Sequence, residues 1–115
     1  PTLHGRLRLL AMSRPGNWPD DCVSLERLDE DGLLESLTQR FARREIYTYV
    51  SHVLLSVNPY KHLHGLYGEQ AMMPYAVRPR AGAGRPKPHP YAIAEAALRG
   101  LRRGEGQAII VSGES

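Results

Sequence analysis

The sequence predicts a single α/β domain, and three observations lead to it. Apolar residues recur at helical spacing in two stretches, around residues 29–44 and 90–103. Short runs rich in β-branched and aromatic residues stand between and after them, at 46–57 and 107–112. The resulting order of helix, strand, loop, helix, strand is that of an α/β fold met partway through. A length of 115 residues leaves room for one ordinary domain with a thin core, and 42% hydrophobic with 23% charged residues is a globular balance. No apolar run nears the roughly 18 residues of a membrane-spanning helix, so a soluble protein with no membrane span is expected.

Residues 1–19 contain Pro15, Gly16, Asn17 and Pro19, breakers that mark an N-terminal connecting segment running on to about Asp21. A helix is expected from Asp29, with Asp29 or Asp31 accepting hydrogen bonds from the first free amides. Leu33, Leu34, Leu37 and Phe41 then form one apolar stripe, expected to be core, and Arg40, Arg43 and Arg44 load the last turn. Ile46–Val50 and Val53–Val57 read as two short strands or one bent strand, apolar enough for burial on both faces of a sheet. Asn58-Pro59-Tyr60 forces a turn, because proline fixes its own φ and keeps the preceding residue extended. Gly68–Val77 predicts a short helix interrupted by Pro74, followed by a Gly- and Pro-rich surface loop over 78–90. A second helix is expected from Pro90 or Tyr91 to Arg103, burying Ala94, Ala97, Leu98 and Leu101. Gln107–Ser112 reads as a short apolar strand, and Gly113 as the start of a tight turn.

Charge is segregated along the chain. The formal net charge is +3, but Asp20 to Glu35 is acidic while Arg78 to Arg103 is basic. A solvated face plus a basic loop accounts for this. The alternative function is a small basic interaction module that binds an acidic partner or nucleic acid through residues 78–87. No aromatic residue interleaves that run to stack on bases, which weighs against nucleic acid. Pro86, Pro88 and Pro90 lack the register of a proline-rich adaptor ligand. The single cysteine, Cys22, cannot form an internal disulfide, which favours a reducing compartment. His52, His62 and His64 have no thiol or carboxylate at ligand spacing, so no metal site is expected. The chain opens without methionine and stops at Ser112-Gly113-Glu114-Ser115, which leads to the expectation of a piece cut through a motif.

The chemistry sits in two turns. Ile109-Ile110-Val111-Ser112-Gly113 is the strand-into-glycine entrance of a phosphate-binding loop, whose full form is G-x-x-x-x-G-K-[S/T]. Such loops aim backbone amides at phosphates, and the lysine and the magnesium-binding hydroxyl would lie beyond residue 115. In the other turn, Asn58-Pro59-Tyr60-Lys61 supplies an amide, a rigid ring, an aromatic face and a cation.

In sequence order, Arg40-Phe41, Ile46-Tyr47-Thr48-Tyr49, Leu54 to Lys61, Tyr67-Gly68, Pro88-His89 with Tyr91-Ala92-Ile93-Ala94, and Gln107 to Ser115 resemble the myosin motor domain. The resemblance covers residues 20–115. It implies the N-terminal part of a P-loop NTPase motor domain, with helices around strands of a mixed central sheet. It also implies that Asn58, Pro59, Tyr60 and Lys61 form the purine-side loop of an ATP pocket, with Tyr67 beside the adenine. Gly113, Glu114 and Ser115 match the first half of the phosphate loop, and the two turns are expected to cup one nucleotide. The parent would be an actin-based motor that hydrolyses Mg·ATP, cytoplasmic and cytoskeleton-associated, with light chains or calmodulin on its lever arm. No catalytic residue and no magnesium ligand is expected within the chain, so by itself it should be inactive. The chain departs from the family pattern at Ser51, where glycine is usual, at Leu98, where tyrosine is common, and in a Lys61–Tyr67 loop one residue longer than in many members.

Overall fold

The computed structural model describes residues 18–77 and 82–113. The chain divides into two compact units between Lys61 and His62. Of the expected connecting segment over 1–19, only Trp18 and Pro19 are described, and both are irregular.

In the first unit, a 3-10 turn at Cys22–Ser24 leads to helix α1, Glu30–Ala42. Asp29 is the residue that starts α1: its extended backbone lies outside the helix, and its carboxylate accepts the amide of Gly32 at 2.7 Å. That bond, followed by the adjacent Arg27 guanidinium, holds the Asp29 carboxyl below its ordinary range. Gly32 has a steric role here, since a Cβ at this position would collide with the carbonyl oxygen of Arg27.

Strands β1, Tyr47–Val50, and β2, Val53–Ser56, form an antiparallel hairpin that pairs Tyr47 with Ser56 and Val50 with Val53. Ser51 opens the two-residue connection at φ 57°. This left-handed backbone explains why glycine is usual at the position in the family that the sequence resembles, and serine there costs on the order of 1 kcal/mol. The Ser51 amide donates to Asp21 Oδ1 at 3.0 Å, which ties the hairpin end back to the preceding segment. On the other edge of β1 the Tyr49 amide donates to the Asp20 carbonyl at 2.8 Å, and Asp21 forms a parallel bridge with Tyr49. β1 is thus flanked on both sides, and Thr48 and Tyr49 are buried.

The described core of this unit is polar where the periodicity predicts leucine. Leu33, Leu34, Leu37 and Phe41 are only half-buried, whereas Ser36, Thr38, Gln39 and Arg40 of α1 are buried. The cause is the direction of α1's anchoring bonds. Arg40 reaches β1, and Cys22 Sγ lies 3.8 Å from Ser36 Oγ as its donor, so the polar face is the covered one. Thr38 satisfies its hydroxyl within the helix, donating to the Leu34 carbonyl at 2.7 Å. Burial pushes the Cys22 thiol above its ordinary pKa. β2 also corrects the expectation of a strand buried on both faces: Val53 and Ser56 are exposed, and Leu54 and Leu55 half-buried.

The second unit contains helix α2, Glu69–Ala76, and helix α3, Pro90–Arg102, which pack together. Pro74 sits inside α2, as the sequence suggests, and the short helix has no side-chain cap at Gly68. α3 begins with proline in its first turn and is capped by His89, whose Nδ1 accepts the Tyr91 amide at 3.0 Å. Its expected apolar face is not buried. Ala94, Leu98 and Leu101 are exposed and Ala97 is half-buried, while Ala92 and Gly100 are buried. Gln107–Ser112 likewise forms no strand and finds no ladder partner among the described residues. Ile109, Ile110 and Val111 are 56%, 88% and 91% exposed. Apolar β-branched sequence favours an extended backbone, but a strand also needs a neighbour to complete its hydrogen bonds. The described sheet is therefore two-stranded and antiparallel, not the larger mixed sheet expected, and the parallel bridge at Asp21 is its one mixed element.

Candidate functional site

The turn at residues 58–61 is set by the hairpin that precedes it. The Val57 amide donates to the Ile46 carbonyl at 2.9 Å, extending the pairing to the last residue before the turn. Beyond it Asn58 Oδ1 accepts the Tyr60 amide at 2.8 Å. The bond closes an Asx turn around Pro59. Tyr60 takes the left-handed backbone, φ 53°, and its side chain is almost fully solvent-facing, with the residue 88% exposed. Pro59 is half-buried and Lys61 exposed. The four predicted residues Asn58, Pro59, Tyr60 and Lys61 thus form one short turn that follows the end of β2 and presents an aromatic ring and an ammonium to solvent.

Tyr67 and Gly113 belong to the second unit. Tyr67 is 50% exposed and its ring meets His89 edge-on, with centroids 5.6 Å apart. Gly113 is exposed and holds φ 144°, a backbone that fits a turn following an extended segment and that favours glycine. Glu114 and Ser115 lie outside the described residues, as do Arg78 and Arg80 of the basic loop.

Two centres have partners that the sequence reading did not point to. The first is Arg40. Its Nε donates to Thr48 Oγ1 at 2.9 Å, its Nη2 to the Tyr47 carbonyl at 2.9 Å, and its Nη1 to Asp20 Oδ1 at 3.0 Å. Nη1 also faces Glu45 Oε2 at 3.2 Å and the Trp18 and Pro19 carbonyls at 3.4 and 3.3 Å. A planar fork suits this set of acceptors, and an ammonium would not. The second is His89, which is buried. Its Nε2 pairs with the Leu66 carbonyl at 2.9 Å while Nδ1 accepts from Tyr91, and this network assigns the neutral tautomer with the proton on Nε2. Tyr91 and Tyr75 lie against the imidazole at 4.3 and 5.5 Å between centroids. Tyr75 closes the cluster by donating its hydroxyl to the Lys87 carbonyl at 3.1 Å. An open depression of about 370 Å³ is lined by Leu66, Pro74, Tyr75, Pro86, Lys87 and His89; Pro86 and Lys87 belong to the basic run over 78–87, and none of the predicted nucleotide-site residues lines it. The sequence signal for both centres is position: arginine just before the helix end, and histidine directly before a first-turn proline.

The family model described as myosin head (motor domain) matches residues 19–115. The chain belongs to the myosin head family. Myosin-14 of Arabidopsis thaliana is 42% identical over 102 residues, covering 88% of this chain and 6% of the relative. Myosin IC heavy chain of Acanthamoeba castellanii is 42% identical over 97 residues, 84% of this chain and 8% of the relative. Myosin ID heavy chain of Dictyostelium discoideum is 38% identical over 97 residues, again 84% of this chain and 8% of the relative. The chain therefore spans well under a tenth of the length of these myosin relatives. Within the myosin head match fall Arg40, the hairpin, the Asn58–Lys61 turn and His89, so the matched stretch includes both unforeseen centres.

Proposed function

We propose that this chain supplies part of the ATP site of an actin-based motor protein. Asn58, Pro59, Tyr60, Lys61 and Tyr67 form the purine side in this reading. Gly113, Glu114 and Ser115 begin the phosphate loop. The observation that carries it is the Asn58–Lys61 turn. An aromatic ring held outward on a left-handed backbone at a strand end does nothing for the fold and suits a planar ligand.

Among the described residues no three His, Cys, Asp or Glu side chains gather where they could hold a metal ion. Magnesium would enter with ATP and be held by residues further along the parent, as would the groups that activate water and stabilise the transferred phosphoryl. The chain alone therefore has no turnover in this reading. Actin, and light chains or calmodulin on a lever arm, are partners of the parent, which works in the cytoplasm on the cytoskeleton.

The test is photolabelling of the parent protein with an ATP analogue that carries an azide on the adenine. Label mapped to the peptide spanning residues 58–67, and competed by ATP, is the expected result. Label confined to other peptides would overturn the reading.

A further inference from the structure

The open depression of the second unit is walled by three segments: Leu66 before α2, Ala71, Pro74 and Tyr75 of α2, and Pro86 and Lys87 before α3. The segments are tied to one another around it. Tyr75 donates its hydroxyl to the Lys87 carbonyl at 3.1 Å, and His89, directly before α3, pairs its Nε2 with the Leu66 carbonyl at 2.9 Å. The Tyr75 and His89 rings meet at 5.5 Å between centroids. Pro74 and Pro86 fix φ on two of the walls. The shape is therefore built by bonds from wall to wall and does not wait for a ligand to form it.

These bonds also decide what the walls can offer. The Tyr75 hydroxyl donates within the protein, and both imidazole nitrogens of His89 are engaged there, Nδ1 by the Tyr91 amide. The lining thus presents hydrocarbon and ring surface, with Lys87 supplying a cation. Lys87 and Arg85 of the same segment are exposed, and among the described residues no Asp or Glu lines the depression.

Size and openness choose the occupant. A volume of about 370 Å³ is at the small end for a ligand cleft, and such clefts cover roughly 70–90% of the ligand's surface. An open depression does not enclose a free small molecule to that degree. It can bury one aromatic side chain of a peptide whose neighbouring residues lie along the rim, the kind of anchor that carries most of the energy of an interface. A lipid surface is met by apolar side chains that protrude, whereas this apolar surface is concave. The cations on the rim select acidic residues beside the anchor. We propose that the depression is a docking site for an acidic peptide segment, which seats one aromatic side chain against Leu66, Pro74 and Tyr75 and sets carboxylates beside Lys87 and Arg85. The site shares no residue with the nucleotide site proposed above and does not rest on it.

The test uses the parent protein and fluorescence anisotropy of a labelled peptide made of glutamates around one central tryptophan. In one comparison peptide alanine replaces the tryptophan, and in another glutamines replace the glutamates. Ala71→Leu keeps a good helix former and fills the depression. Lys87→Gln removes the rim cation and keeps the carbonyl that holds Tyr75. Exchange protection of the Tyr91 amide reports that the unit is intact in each variant.

Saturable binding of the tryptophan peptide is expected, with a loss of roughly 30-fold or more for the alanine peptide and in Ala71→Leu, the scale of a central anchor. Lys87→Gln weakens binding roughly 2- to 5-fold at low salt, and that difference closes as salt rises. No binding of the tryptophan peptide would overturn the proposal, and vesicles of anionic phospholipid that bind in its place would assign the surface to lipid. Equal binding of the alanine peptide would overturn it too, because charge alone would then be acting. So would equal binding of the glutamine peptide, because the partner would then need no charge. Full affinity in an intact Ala71→Leu variant would put the anchor elsewhere and reject the site. If Ala71→Leu loses Tyr91 protection, cross-linking decides: a peptide with benzophenone in place of the tryptophan labels residues 63–77 or 85–91 of the unsubstituted protein if the site is correct, and label confined to other stretches rejects it.

Discussion

The two units are organised around centres of opposite character. In the first, a charged guanidinium with only 3% of its side chain exposed is surrounded by hydroxyl, carbonyl and carboxylate oxygens. In the second, a neutral imidazole stands among three tyrosine rings. Burying a charge is tolerable only while its partners are complete, so the Arg40 centre is close to all-or-none. The His89 cluster shares its contacts among several rings, and Tyr75 also meets Tyr91 directly, so losing one member should loosen it by degrees. The difference shows how a thin domain can obtain a specific structure from few apolar residues. One unit fixes its geometry by satisfying directional bonds, the other by packing.

The largest effect should come from Arg40→Ala, which strands the Thr48 hydroxyl and several carbonyl oxygens in a buried place. A loss of about 3–5 kcal/mol is expected, enough to unfold the first unit, with exchange protection at Thr48 and Tyr49 as the measurement. Arg40→Lys sharpens the point: it keeps the charge but lacks the fork, and should recover little of the loss. Near-normal protection in Arg40→Lys would mean that charge alone organises the unit.

His89→Ala should cost less, about 1–2 kcal/mol for a lost helix cap and one aromatic contact, and the damage should stay at the start of α3. Exchange at the Tyr91 and Ala92 amides measures it. A collapse of the whole second unit would erase the contrast between the centres.

The smallest effect concerns the start of α1. The Asp29 carboxyl is held below its ordinary pKa by the Gly32 amide and by Arg27. The cap therefore contributes stability above the unfolded-state carboxylate pKa and loses it as pH falls through the lowered value of the folded state. Helix content followed by circular dichroism should show α1 weakening on that descent, and Asp29→Ala should flatten the dependence. An unchanged acid limb in Asp29→Ala would assign the effect to other carboxylates.

Features governed by neighbours along the chain were legible from sequence. Asp29 as a cap, Pro90 in a first turn, the Pro59 turn and the helical reading around Pro74 all follow from rules spanning a few residues. Arg40 was not, because arginine near a helix end ordinarily faces water and completes the helix dipole. Its actual partners reach from Trp18 to Thr48 and become visible only once the hairpin and the preceding segment close around it. The pattern at Ala94, Leu98 and Leu101 identifies an apolar face correctly as sequence, but burial needs an opposing layer that the described residues do not supply. The same holds for Ile109–Val111. Of the candidate site, the residues of the 58–61 turn could be read from sequence, but the inward aim of the Asn58 oxygen could not, since an amide can turn either way.

The span of Arg40's bonds has a consequence for how the protein is made. Every acceptor found among the described residues lies between Trp18 and Thr48, so this charge can be neutralised while later residues are still inside the ribosome. Translation adds roughly 5–20 residues each second, which gives the guanidinium knot a head start of several seconds before Ile109–Val111 emerges. The exposed apolar Ile109–Val111 stretch thus appears only after the first unit has had time to close.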